Sequence, residues 1–181
     1  MTRTRTFSWA DPTIVTAHLR RLPGLEFLKR AIAGEFPPPP MAELMNMRIT
    51  EADVGRVVFE GTPAEYHYNP LGVIHGGMAA TLLDSALGCC VNSCLDAGDF
   101  YTTLELKVNY LRPITLETGT VRAIATIVHA GQSTAVAEGR VVDARDKIYA
   151  YGSTTCLVRR ASGASSASGA SDASGASGAS K

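Results

Sequence analysis

The longest apolar run in the chain starts at Gly76 and continues to about Leu95, and the only charge within it is Asp84. Met78, Ala79, Ala80, Leu82 and Leu83 are helix formers. A segment this apolar on nearly every side predicts a buried helix, ending near residues 96–98 with Gly98 as its C-cap. Periodicity changes after that point. Leu104, Leu106, Val108 and Tyr110 alternate with Thr103, Glu105, Lys107 and Asn109, which predicts a half-buried strand over 102–111. Segments 118–130, 133–143 and 148–159 read as further strands. They are joined by a tight turn at Ala130-Gly131-Gln132 and a polar turn at 143–147.

Ahead of the long helix the signals are shorter. Asp11-Pro12 opens a helix over 13–21. A second amphipathic helix over 25–34 has Leu25, Leu28 and Ile32 on one side and is ended by Gly34. Pro37–Pro40 reads as a stiff spacer. Segments 44–50 and 54–61 read as a hairpin, and 63–69 as an irregular approach to the helix. One buried helix among strands joined by short turns is an α+β arrangement with an antiparallel sheet. This divides the chain into an N-terminal helical extension and Pro-rich spacer (1–40), a central domain (41–160), and an Ala/Ser/Gly tail (161–181) with nothing to bury, expected to be disordered.

Composition narrows the partners. Lys plus Arg and Asp plus Glu are both 17, giving a formal net charge of zero. With no basic run, this argues against nucleic acid. The start, MTRTRTFSWA, lacks the apolar stretch of a secretory signal and is expected to be a frayed end. The central run is the only segment near the roughly 20 residues of a membrane span, and Asp84 and Asn92 make it a better core helix, so no membrane partner is expected. Of four cysteines, Cys89, Cys90 and Cys94 fall on the expected helix and Cys156 on the last strand. None has CxxC spacing, so they read as core thiols rather than metal ligands, in keeping with a reducing cytoplasm.

Chemistry concentrates in Asn69–Asp84, NPLGVIHGGMAATLLD. Asn69-Pro70 and Leu71-Gly72 are turn material. His75-Gly76-Gly77 brings bare backbone to a helix start, where unpaired N–H groups and the positive dipole end face outward. Asp84 sits two turns on. A carboxylate in an apolar helix is costly unless it is paired or used. Gly76, Ala80, Asp84 and Gly88 recur every four residues, so one helix face carries only small side chains beside the acid.

The ordered set N-P-x-G-x-x-H-G-G followed by Asp84, with Thr103–Pro113 (TLELKVNYLRP), Gly131-Gln132-Ser133 and Ala150–Thr154 (AYGST), resembles the hotdog-fold thioesterases of the phenylacetic-acid-degradation (PaaI-like) type over roughly residues 41–160. The resemblance implies a curved antiparallel sheet wrapped around one long central helix. It implies hydrolysis of an acyl- or aryl-CoA to the free acid and coenzyme A, without metal or other cofactor, by a homodimer or a dimer of dimers. By the same resemblance Asp84 is the general base or nucleophile. The Gly76 N–H polarises the thioester carbonyl, Asn69 helps place the carbonyl or the water, and Thr103 orients the water. His75 hydrogen-bonds the helix start or the substrate. Tyr110, Leu111, Arg112 and Pro113 would hold coenzyme A together with His129, Ala130, Gly131, Gln132 and Ser133, and Arg112 and Arg159 are candidates for its phosphates. Arg160 reads as a solvated surface charge. Two alternatives stay open: a non-catalytic acyl-CoA-binding hotdog protein, in which a buried base has no use, and a hotdog hydratase or dehydratase, for which no second motif is present.

Overall fold

The computed structural model describes residues 1–161, so the Ala/Ser/Gly segment 162–181 lies outside the described residues. Helix α1 (Pro12–Leu19) is capped by the Asp11 carboxylate, which accepts from the Thr13 N–H. Helix α2 (Gly24–Ile32) buries Phe27 and Leu28, and Gly34, at φ 79°, follows its end. The spacer leads into a short helix, α3 (Pro40–Met45), which replaces the expected strand start at 44. Pro40 occupies a first-turn position, where its missing N–H has no cost. Asn46 then takes a left-handed conformation (φ 53°) and stops the helix. Strands β1 (Met47–Asp53) and β2 (Arg56–Gly61) form the expected hairpin.

Helix α4 (Gly76–Asn92) is followed by β3 (Phe100–Tyr110), β4 (Val121–Ala130), β5 (Thr134–Val142) and β6 (Ile148–Arg159). All neighbours in the sheet are antiparallel, in the order β1-β2-β4-β5-β6-β3. The sheet wraps α4, whose Leu82, Leu83, Ala86, Leu87, Cys90 and Val91 are almost wholly buried. Each fully buried Leu or Val contributes about 1.5–3 kcal/mol before chain entropy is counted. The central strands make room with small residues: Ala123, Ala125, Ala135 and Ala137 are buried. A Cβ on Gly139 or Gly152 would sit 3.3 or 3.2 Å from a methyl of Leu87 or Leu83.

Helix α4 ends earlier than its apolar content predicts. Ser93 stops it: its hydroxyl donates to the Cys90 carbonyl and accepts the Gly55 N–H. Cys94 therefore lies beyond the helix. Gly98 (φ 87°) serves the turn into β3 and is not a helix cap. In β3 the alternation breaks at Leu104, where the register against β6 shifts between Thr103 and Glu105. That bulge changes the phase of the strand. Tyr101 and Thr103 face α4 before it and Leu106, Val108 and Tyr110 after it, while Leu104, expected inside, is 58% exposed.

The N-terminal region is more engaged than expected. Phe27, Leu28 and Phe36 belong to the main core. The Gly24 N–H donates to the Leu95 carbonyl, docking α2 against the C-terminal end of α4. Residues 1–10 form no helix or strand, but they are not a loose end. Arg5 donates to the carbonyls of Leu44 and Glu43 and stacks 3.8 Å over Tyr66, and Arg3 pairs with Glu65.

The α2–α4 contact generates a stability prediction. A Cβ on Gly24 would lie 1.7 Å from the Asn92 carbonyl oxygen, a backbone atom that cannot step aside. Gly24→Ala is expected to lower unfolding stability by about 2 kcal/mol or more in urea denaturation, as overpacking in a rigid site does. An unchanged midpoint would mean that α2 does not seat this way.

Candidate active site

The expected residues fall into three groups. The first surrounds the start of α4. Asn69 closes a turn: its Oδ1 accepts from the N–H groups of Leu71 (2.9 Å) and Val73 (3.4 Å), and its own N–H donates to the Val73 carbonyl. Its side-chain oxygen is thereby committed to the turn, leaving Nδ2 as the atom able to act outward. His75 is the N-cap, its Nδ1 accepting from the Gly77 N–H at 2.8 Å. In this arrangement its ring proton sits on Nε2, so the exposed ring is occupied in holding the helix start. The Gly76 N–H has no acceptor among the described residues, and Tyr110 packs against Gly76 so closely that a Cβ there would meet its ring at 3.0 Å. A cavity of about 370 Å³ opens here, between the helix start and the chain leaving β3. His75, Gly76, Tyr110, Leu111, Arg112 and Pro113 line it together with Ile74, Ala79, Ile114, Tyr149 and Ala150. No residue of 12–36 lines it, because α2 lies at the other end of α4. The Arg112 guanidinium donates to the Ile148 carbonyl and is exposed at the rim.

The second group lies two turns along α4. Asp84 is exposed, not buried as its apolar surroundings in sequence predict. The sheet covers α4 on the Leu82–Leu83–Leu87 side, and the face bearing Asp84 is left open beside the edge strand β3. The Thr103 hydroxyl donates to Asp84 Oδ1 at a long 3.3 Å. This contact exists because the bulge at Leu104 turns Thr103 toward the helix, against simple alternation from Leu106 onward. Tyr101 lies one helical turn further, its hydroxyl against Gly88. Burial, and secondarily the charge of Asp84, pushes the Cys89 thiol up to about 12. Burial pushes Cys90 up to about 12 as well and raises Cys156. Such thiols stay protonated and are poor nucleophiles.

The third group is the β4–β5 turn. His129, Ala130, Gln132 and Ser133 are exposed around Gly131, whose N–H donates to the Thr134 carbonyl. Arg159 is exposed at the end of β6, opposite Phe100. Arg160, expected to be solvated, is instead an anchor. It pairs with Asp99 at 2.7 Å, where the carboxylate side chain is only 3% exposed, and donates to the Gly131 carbonyl at 3.0 Å. Burial acts to raise the Asp99 carboxyl, but bonds from the Ala161 N–H, Arg160 and the Asp96 N–H outweigh it and hold the group below its ordinary range. Sequence offers no signal for this contact, since 61 residues separate the partners.

The chain thus brings Asn69, His75 and Gly76 together with Tyr110–Pro113, and Asp84 together with Thr103, but does not bring the two sets together. Eight residues of helix separate Gly76 from Asp84, about 12 Å at 1.5 Å per residue. Among the described residues no helix is long and apolar enough to cross a membrane, and no cluster of three or more His, Cys, Asp or Glu is placed to hold a metal.

Residues 71–150, the stretch from the turn before His75 into β6, match the family model described as the thioesterase superfamily. The chain is 25% identical over 120 residues to the 1,4-dihydroxy-2-naphthoyl-CoA hydrolase of Listeria monocytogenes, covering 66% of this chain and 96% of that one. Among solved structures, a conserved protein of Pseudomonas aeruginosa is 30% identical with a TM-score of 0.63, covering 67% of this chain and 95% of that one. A phenylacetic acid degradation-related protein of Ralstonia eutropha JMP134 is 26% identical with a TM-score of 0.65, covering 72% and 98%. The motif, the wrapped helix and these matches agree: the chain belongs to the thioesterase superfamily, with the hotdog fold and the PaaI-like character of its relatives, and is a thioester hydrolase.

Proposed function

We propose that the protein hydrolyses the thioester of an acyl- or aryl-CoA, with Asp84 as the group that activates water or attacks the carbonyl. One observation carries this reading: Asp84 stands on the small-residue face of α4, two turns from a Gly76 N–H that has no acceptor among the described residues. A thioester needs both groups. Backbone N–H at the positive end of a helix stabilises the oxygen that becomes negative as the carbonyl is attacked. In the general-base route the carboxylate takes a proton from water, the water oxygen bonds to the carbonyl carbon, and the carbon–sulfur bond then breaks. Coenzyme A leaves as a thiolate that regains a proton, and the acid is released. In the nucleophilic route an Asp84 oxygen bonds to the carbon, the carbon–sulfur bond breaks to release the coenzyme A thiolate, which regains a proton, and water then hydrolyses the mixed anhydride to the acid and free Asp84. Thr103 serves to hold water or carboxylate in place in either case.

The cavity at the start of α4 supports an acyl or aryl group as the other half of the substrate. Ile74, Ala79, Leu111 and Ile114 give it apolar walls, and Tyr110 and Tyr149 supply rings. The Listeria relative is named for hydrolysis of an aryl-CoA, which favours testing aromatic thioesters first. The β4–β5 turn with Arg159, and Arg112 at the cavity rim, form polar surface suited to the phosphates of coenzyme A.

The reading also requires a second chain. Gly76 and Asp84 of one chain lie too far apart on one rigid helix to flank a single carbon, so a twofold axis would bring Asn69, His75 and Gly76 of one chain to Asp84 and Thr103 of another. Strand β3 suits that pairing. It is an edge strand carrying exposed Phe100, Leu104 and Tyr110, apolar groups that a lone edge does not usually present.

Two outcomes are expected. Thiol release from a panel of benzoyl-, phenylacetyl-, butyryl- and palmitoyl-CoA shows turnover of at least one, and Asp84→Asn lowers it by about a hundredfold or more, the scale of a lost general base, while circular dichroism stays that of the parent. Near-normal turnover in the folded variant would remove Asp84 from the chemistry. Light scattering at micromolar concentration gives at least twice the mass of one chain; an active monomer would refute the shared site.

A further inference from the structure

The Arg160 anchor has a consequence for the rim. Its guanidinium forks between Asp99, in the turn before β3, and the carbonyl of Gly131, in the turn between β4 and β5. A trans peptide is planar, with its C=O and N–H pointing in opposite directions. Drawing the Gly131 carbonyl inward therefore aims the Gln132 N–H outward. Neither Gln132 nor Ser133 donates its N–H to any acceptor among the described residues. The flanking bonds do not involve Arg160: the Gly131 N–H is held by Thr134 and the Ser133 carbonyl accepts from Val158, which leaves the direction of the Gly131–Gln132 peptide to Arg160. Asp99 is fixed in turn by N–H groups of Ala161 and Asp96. In the sheet this turn is close to the chemistry: Thr134 pairs with Leu157, and the adjoining Cys156 pairs with Thr103, the partner of Asp84.

We propose that Arg160, anchored by Asp99, is a positioning residue that presents the outward N–H groups of the 131–133 turn to a phosphate of the nucleotide half of the thioester substrate. It rests on the acyl-CoA reading above and adds a residue that never touches substrate. The outward Gln132 N–H, with the Ser133 N–H also lacking an acceptor among the described residues, offers backbone donors suited to an anion, and the exposed Arg159 follows Val158, whose N–H meets the Ser133 carbonyl. Arg160 itself is spent on Asp99 and Gly131, so its contribution is to the direction of a peptide plane, not to charge at the phosphate. A turn released from Arg160 can flip that peptide and lose the donor while the acyl cavity, at the other end of α4, is untouched.

The test uses the full chain, two thioesters of the same acid, and free coenzyme A as a separate binding probe. Benzoyl-CoA carries the nucleotide; the benzoyl thioester of N-acetylcysteamine does not. For Arg160→Gln, KM for benzoyl-CoA and Kd for coenzyme A by calorimetry are expected to rise about tenfold. The kcat on both substrates and the KM for the N-acetylcysteamine thioester should stay within about twofold. Arg160→Lys, which keeps a charge beside Asp99 but lacks the planar fork, should give a smaller rise of the same kind, and it serves as the test if the Gln variant does not fold. Asp99→Asn should reproduce the split with Arg160 in place. Equal changes in KM on both thioesters, or a fall in melting temperature with both KM values and the coenzyme A Kd unchanged, would overturn the proposal and leave Arg160 a purely structural residue. If the panel finds another acid turned over instead of benzoate, that acid takes its place in both thioesters; if the wild type hydrolyses none of the panel, the hydrolase reading fails by itself, and the comparison of coenzyme A affinities still decides the role of Arg160.

Discussion

Leu82, Leu83, Ala86, Leu87, Cys90 and Val91 bury one side of α4 against the concave face of the sheet, and the rest of the molecule is arranged by that contact. Because the helix must lie close to the sheet, β4 and β5 carry alanine, with Gly139 and Gly152 under the leucines. The contact leaves part of the helix surface uncovered, and Asp84 is exposed there, while Gly88 is buried under Tyr101 and Tyr110 packs over Gly76. Burial of the leucine side thus leaves the Asp84 carboxylate accessible. It also holds the helix start at a defined place, where His75 caps it and the Gly76 N–H is left for a ligand.

The edge strand β3 translates this into a site. Tyr110 lies over Gly76, Thr103 reaches Asp84, and Tyr101 lies over Gly88, so strand and helix run side by side in opposite directions. The bulge at Leu104 is what lets Thr103 and Tyr110 both face the helix although they do not share a parity. The same bulge turns Leu104 outward on an unpaired edge, where its exposure is unfavourable in a lone chain. The geometry that brings Thr103 to Asp84 therefore also leaves an apolar residue on the uncovered edge of the sheet.

Much of this was legible in the residues. The start of α4 and its place as the core helix followed from an apolar run with a single charge, and β6 has the bounds read for the last strand after the polar turn at 143–147. The helix-start cluster was legible because Asn69, His75 and the glycines act through local backbone chemistry. Other features depend on contacts distant in sequence. Asp84 looked buried because its neighbours along the helix are apolar, but exposure depends on which face the sheet covers. The strand start at 44 was misplaced because Pro40 reads equally as the end of a spacer and as the first turn of a helix. The end of α4 was set by the Ser93 hydroxyl meeting Gly55, and Arg160 looked solvated because Asp99 is 61 residues away.

The central claim is that the carbonyl-polarising group and the carboxylate of one site come from different chains. Subunit complementation tests it most directly, using Asp84→Asn and Asn69→Asp. The second change keeps the turn-forming Oδ1 of Asn69 and replaces its outward N–H donors with a carboxylate oxygen, which can only accept and carries negative charge. Each parent should be folded and nearly inactive. After subunit exchange, each mixed dimer would hold one site with both native groups, so random mixing is expected to restore about a quarter of wild-type turnover. Verified mixed dimers that remain as inactive as their parents would contradict the account and place the whole site within one chain.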